Sequence, residues 1–293
     1  MANVESDRTA IEDTNGGIDW LNLSAVTGNV EVELNASIKV QGDEWASLSA
    51  NQFENVTSGD GNDRLTGNNA DNEIHGNRGN DVIAGGNGDD ALYGGNGFDQ
   101  ITGGNGEDRI IGGTDEGDLR DEINAGAGDD FVDAGYGNDE VYGGAGNDVI
   151  LGGFGFDRLI GQAGNDVLSS GPLGDLIFGG DGDDFINGGF GHDRINGGNG
   201  ADSFYHLGII DHGSDWIQDY TSAEDDVLVF ADRNASVDDF QVNIAETANA
   251  GEVGVAEAFV IYIPTGQIIW ALVDGDGQDE INLQIGADVF NIA

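Results

Sequence analysis

The sequence predicts an all-β protein whose middle is a coil of short, stacked, parallel strands. Three observations predict it. A nine-residue period runs through sixteen successive units from Ser58 to Tyr205. Glycines recur at the first, second and fourth positions of the unit. The eighth position is apolar in all sixteen: Leu65, Ile74, Ile83, Leu92, Ile101, Ile110, Ile123, Val132, Val141, Ile150, Leu159, Leu168, Ile177, Ile186, Ile195 and Phe204.

Each column has a physical meaning. Glycine tolerates positive φ, so the chain turns sharply with its carbonyls to one side. The last three residues make a short strand whose middle side chain points inward. One turn and one strand cannot bury that side chain alone, but stacked copies can. Two units make one coil, so units of the same parity stack on one another. One unit, starting at Gly112, carries four extra residues, Asp115 to Asp118.

The sixth position is Asp in fifteen units: Asp63, Asp81, Asp90, Asp99, Asp108, Asp121, Asp130, Asp139, Asp148, Asp157, Asp166, Asp175, Asp184, Asp193 and Asp202. Asn72 is the exception. Strands stack about 4.8 Å apart. Carboxylates at that spacing repel by about 1 kcal/mol or more per pair, even in high dielectric. A divalent cation between turns removes the conflict. Calcium suits the donors best, because it takes six to eight oxygens in irregular geometry. Zinc and copper want His or Cys, which the repeats hardly contain. The plainer alternative is that these Asp residues only shape turns.

The unit Gly-Gly-x-Gly-x-Asp-x-apolar-x, as in Gly85-Gly86-Asn87-Gly88-Asp89-Asp90-Ala91-Leu92-Tyr93, resembles the calcium-binding nonapeptide of the RTX (repeats-in-toxin) family. The resemblance covers about half the chain and implies a right-handed parallel β-roll. It implies roughly a dozen Ca²⁺ ions, each between same-parity turns. The ligands would be two position-six Asp side chains and glycine-region carbonyls, among them those of Gly86, Gly95, Gly104, Gly144, Gly153, Gly180, Gly189 and Gly198. Weaker or missing calcium is expected at Asn72, at the insertion after Gly112-Gly113, and at Ser170-Gly171-Pro172-Leu173-Gly174-Asp175.

The flanks differ. Residues 1–57 read as a β-rich N-terminal cap, with strand-like Ile18–Ser24 and Val30–Leu34 and apolar Trp45, Leu48, Phe53 and Val56. A cap is needed because an open coil end exposes edge and core. Residues 206–293 read as an antiparallel, hairpin-rich β region, with strands around Trp216-Ile217, Val227–Phe230, Phe259–Ile263 and Ile268–Val273. Ile261–Gly266, Asp274–Gly277 and Gly286–Phe290 are similar to the C-terminal ends of type I-secreted RTX proteins, whose uncleaved end is the export address. Asp274-Gly275-Asp276-Gly277 lacks the Gly and helix pair of an EF-hand, so a polar hairpin loop is expected there. Met1–Asp7 has no basic start or apolar segment, so no cleaved secretory peptide is expected.

The chain has 293 residues and a net charge of −47. Phosphate would repel it, which argues against nucleic acid or an anionic membrane surface as partner. No apolar run reaches the roughly 20 residues that span a bilayer. Cys is absent, which removes disulfides and thiol nucleophiles. Neither His-Glu-x-x-His nor Gly-x-Ser-x-Gly occurs, so no enzyme is expected. His192 and His206 read as surface residues.

Calcium does not explain one column. Tyr136, Phe154, Pro172 and Phe190 share position three of odd units, with Phe156 nearby. They either pack under the C-terminal region or the insertion, or form a glycan-binding or self-association strip. The expectation is therefore a secreted, extracellular, calcium-binding roll that folds on reaching calcium and uses the type I secretion machinery. The alternatives are an adhesin or polysaccharide-binding module, or the non-catalytic part of a polysaccharide-modifying enzyme such as an alginate epimerase.

Overall fold

The computed structural model describes residues 10–11, 18–34, 36–40, 43–48, 53–210, 212–247, 251, 255–275 and 278–293. The chain divides into two compact units, Met1–Val149 and Ile150–Ala293. Apart from two three-residue 3-10 turns, Ser222–Glu224 and Val237–Asp239, the described elements are all strands.

In the first unit, consecutive strands alternate between two sheets. One sheet runs Val30–Glu33, Arg64–Thr66, Val82–Asn87, Gln100–Asn105, Glu122–Ala127, Glu140–Ala145. The other runs Trp20–Asn22, Asn55–Thr57, Glu73–Arg78, Ala91–Asn96, Arg109–Ile111, Phe131–Asp133. All these neighbours pair in parallel, and the register is two repeats: Leu92 lies on Ile74 and Ile101 on Ile83. The insertion leaves that register intact, since Ile101 pairs with Ile123 on its other side. At the start, Ser37–Val40 pairs antiparallel with Val30–Glu33 and with Asp43–Leu48. Leu21, Val32, Leu34 and Ile38 are fully buried. The side chains of Trp45 and Leu48 lie outside the described residues.

The second unit repeats the plan. Arg158–Ala163, Leu176–Asp181, Arg194–Asn199, Asp215–Ile217 and Gln267–Leu272 follow one another in parallel. So do Val167–Ser169, Phe185–Asn187, Ser203–His206, Val227–Phe230 and Asn282–Ile285. The parallel stack therefore continues past Tyr205, where the nonapeptide stops. Among the described residues of this unit, antiparallel pairing enters with Glu257–Tyr262 on Gln267–Leu272, Phe240–Ala245 on Glu257–Tyr262, and Asp288–Asn291 on Asn282–Ile285. The chain is thus an all-β parallel solenoid with antiparallel strands at its C-terminus. In the stretch Asp274–Gly277, residues 276–277 lie outside the described residues.

Every position-eight side chain is buried to 1% exposure or less. Each such aliphatic group contributes about 1.5–3 kcal/mol by leaving water. Apart from Gly59 and Gly113, the position-two glycines have positive φ and stack flush: a Cβ on Gly104 would strike the carbonyl of Gly86, and one on Gly198 that of Gly180. Asn77 and Gln162 hold the same position at φ 73° and 83°.

Candidate metal centre

The position-six aspartates are the least exposed charged groups of the repeat, at 0–4%. Their two oxygens do different things. One accepts a backbone amide from the preceding same-parity turn. Asp63 N–H donates to Asp81 Oδ1 and Asp81 N–H to Asp99 Oδ1, both at 2.7 Å. Asp99 N–H donates across the insertion to Asp121 Oδ1 at 2.8 Å, and Asp121 N–H to Asp139 Oδ1 at 2.7 Å. The even ladder runs from Asn72 N–H to Asp90 and on through Asp108, Asp130 and Asp148 at 2.7–2.9 Å. In the second unit Asp157 donates to Asp175, Asp175 to Asp193, Asp166 to Asp184, and Asp184 to Asp202.

Sequence reasoning missed two features of these ladders. The Asp side chain is a turn-to-turn splice as well as a charge. The ladders also run beyond the repeats at both ends: Val30 N–H donates to Asp63, Asp193 to Asp215 and Asp202 to Asp226. The apolar-after-Asp pattern Asp215-Trp216-Ile217 and Asp226-Val227-Leu228 was the signal available.

The second oxygen has no such partner. Oδ2 of Asp63, Asp81, Asp90, Asp99, Asp108, Asp121, Asp130 and Asp184 is buried without a hydrogen bond. Those of Asp81, Asp90, Asp99, Asp108, Asp121 and Asp184 lie beside the carbonyl of a position-one residue one coil on. A Cβ built on Gly94 would lie 2.5 Å from Asp99 Oδ2 and 2.6 Å from the Gly112 carbonyl oxygen. Gly76, Gly85, Gly103 and Gly179 show the same pair of oxygens around the same point. A carboxylate oxygen and a carbonyl oxygen thus border a cradle that only glycine leaves open.

Burial makes several of these carboxylates, from Asp81 to Asp184, hard to ionise. It pushes Asp81 up to about 7, against the pull of the Asp63 amide and with added repulsion from Asp99 and Asp63. Burial likewise drives Asp90, Asp130, Asp184 and Asp202 to about 7. From an ordinary 3.8, that costs on the order of 4 kcal/mol per ionised site at neutral pH. Five such sites outweigh the net stability of a typical domain, about 5–15 kcal/mol. A positive charge beside them removes the penalty.

The donor chemistry fits a hard cation. Among the described residues no three acidic or imidazole side chains converge, so an ion here would draw on backbone oxygens as well. Calcium accepts that mixture of carboxylate and carbonyl. The position-two glycines named from the sequence sit one residue from the cradle, all with positive φ between 81° and 130°.

Some turns differ, and side-chain chemistry explains how. Ser58 and Ser170 stand at position one, and their hydroxyls donate to the carbonyls of Gly76 and Gly188 at 2.6 and 2.7 Å. Ala125 and Ala134 put a methyl at the same position. Asn72 accepts from Asn68 N–H and turns its amide to the Glu54 carbonyl. The insertion adds charge: Asp118 is 6% exposed, and a Cβ on Gly113 would meet its Oδ2. Burial, with Asp118 as the strongest neighbour, pushes Asp121 up to about 9.

A family model of the RTX calcium-binding nonapeptide repeat (4 copies) matches residues 57–92, 84–119, 117–150, 142–172 and 170–204, just over half of the chain. The chain belongs to that family. No curated protein matches it. The RTX units cover both Asp ladders within residues 57–204, while Asp215 and Asp226 extend them beyond the matched span. Among the described residues no helix is long and apolar enough to cross a membrane.

The histidines need a correction. His192 is exposed, but His206 is buried to 1% together with His212, not at the surface. The two rings pack edge to face with centroids 4.6 Å apart, and His206 also meets Trp270. The continued stack covers His206 where the nonapeptide predicted an end. Desolvation, then His212, lowers His206 to about 4. In the aromatic column, Phe190 packs on His212 at 4.5 Å, whereas Phe154 and Phe156 remain 57% and 60% exposed.

Proposed function

We propose that this chain is a secreted protein that folds on binding extracellular calcium. Its ions lie in the cradles between same-parity turns. The single observation that carries the reading is the row of buried, unbonded Oδ2 atoms facing position-one carbonyls. In a cytoplasm poor in calcium, carboxylate repulsion and glycine entropy hold the chain unfolded, in a form suited to type I export. Outside, ion binding becomes folding free energy. Occupancy is uneven. Turns whose position one is Ser58, Ala125, Ala134 or Ser170, and the Asn72 turn, bind weakly or not at all. The insertion, where the repeat pattern alone predicts weaker binding, brings a second buried carboxylate, Asp118, beside Asp121 and binds tightly.

The experiment is a calcium titration followed by circular dichroism. A cooperative rise of β signal from a disordered baseline in excess chelator supports the reading. A fully folded protein in chelator overturns it. The exposed rings of Phe154 and Phe156 favour a second reading, a non-catalytic binding module for a surface or glycan.

A further inference from the structure

Beside the cradles, the second unit has a groove of about 380 Å³ lined by Phe156, Arg158, Leu176, His192 and Arg194, with Gly174 between and the carboxylates Asp157 and Asp175 in its wall. Its composition is unlike the rest of the chain. Only nine residues are Lys or Arg, and two of them meet here with one of the four His. Arg158, Leu176 and Arg194 are stacked in register on successive parallel strands. The two arginines are therefore two strand spacings apart, about 9.6 Å. Two residues earlier, the same turns present Phe156, Gly174 and His192. Gly174 has no side chain, so a slot opens between a ring and an imidazole. The neighbouring Leu173 is held at φ 89°, a conformation that β-carbon residues rarely adopt. Such strain is retained at binding sites more than elsewhere.

The donors point one way chemically. Arg194 makes no ion pair among the described residues. His192 Nδ1 accepts the Ser214 amide at 3.1 Å, which leaves Nε2–H as a donor in the neutral ring. The Arg158 guanidinium lies over the Phe178 ring at 5.6 Å. Asp157 and Asp175 also line the groove but are only 2% and 4% exposed, and Asp175 Oδ1 is taken by the Asp157 amide.

We propose that this groove binds a short acidic saccharide, one or two sugar rings bearing carboxylate or sulfate. The guanidinium fork of Arg194 matches such an anion in bidentate fashion, with Arg158 adding positive charge. The Phe156 ring and Leu176 offer an apolar face for a sugar ring, and the imidazole N–H serves a hydroxyl. The volume suits a small ligand. The molecule's negative charge opposes a long polyanion, but local charges dominate within the roughly 8 Å screening length of physiological salt. The proposal rests on the calcium reading in one respect: ions in the cradles neutralise Asp157 and Asp175 in the groove wall.

The test is calorimetric titration of calcium-loaded protein with digalacturonate and with a sulfated galactobiose, against neutral galactobiose. Circular dichroism tracks the fold in parallel. At least one acidic sugar should bind at least tenfold more tightly than the neutral one, and the tighter of the two identifies the anion. Arg194→Gln and Phe156→Ser, both at exposed positions, should each weaken binding tenfold or more with the β signal unchanged. The proposal is overturned if neither acidic sugar binds the folded protein, or if Arg194→Gln binds as well as the parent. Should the protein stay folded in chelator, the calcium reading fails, and the same titration without calcium decides the groove independently.

Discussion

Asp108 condenses the chemistry of the repeat into one side chain. Its Oδ1 splices the Asp90 amide, while its Oδ2 and the Ala125 carbonyl both border the glycine cradle of Gly103. Asn72 shows what replaces the charge: its Oδ1 accepts the Asn68 amide within its own turn, and its Nδ2 donates to the Glu54 carbonyl of the preceding one. Asp108→Asn should therefore separate the two roles. Burial raises Asp108 to about 6 from 3.8, so removing its charge should stabilise the calcium-free protein by on the order of 3 kcal/mol at pH 7.5. The same change should reduce the number of bound calcium ions. Denaturant melts in chelator and ion counting by mass spectrometry read the two effects. A loss of stability in both conditions would mean that the carboxylate is purely a turn former. Glycine identity matters as much at position two. Gly198→Ala puts a methyl against the Gly180 carbonyl at φ 105° and should cost at least 1–3 kcal/mol in calcium. A melting temperature unchanged from the parent would show that the turn relaxes.

At the scale of a strand and its turn, stability comes from the buried eighth position. Ile186 is fully buried between the strands of Val167–Ser169 and Ser203–His206. Ile186→Ala should cost about 2–5 kcal/mol by transfer and cavity formation. Thermal melts at saturating calcium check this, and a cost below 1 kcal/mol would mean the core is loosely packed there. The eighth position was legible because a period of nine puts one apolar group per strand on the inner face. The ladder bond from amide to Oδ1 was not, since sequence shows which residue recurs and not which way its oxygens turn. The C-terminal coils were hidden for another reason. Asp215 and Asp226 keep the ladder while the spacing between them and the repeats lengthens, with offsets of 22 and 24 residues in place of 18. A fixed-period search ends at Tyr205 although the stacking physics does not. His206 was misplaced by the same early end.

For the whole molecule the decisive variable is charge, −47 in total, and protons and calcium compete to relieve it. Asp81, Asp90, Asp130, Asp184 and Asp202 bind protons more tightly when folded, with values near 7 against 3.8. Their contribution to calcium-free stability is complete below about 4 and is lost as the pH rises through 7. His206 works the other way: lowered to about 4 from 6.5, it penalises the folded state as the pH falls through that window. Five carboxylates outweigh one imidazole, so the chain in chelator should gain β structure between pH 8 and pH 5. With saturating calcium the dependence should invert, because protons then displace the ion: stability should fall as the pH drops below about 5. Parallel pH titrations by circular dichroism, with and without calcium, measure both slopes. His206→Phe, which removes the opposing imidazole from its contact with Trp270, should steepen the acid gain of the calcium-free chain. Two slopes of the same sign would mean that calcium and protons do not meet at the same oxygens, and that the ions sit somewhere other than the cradles.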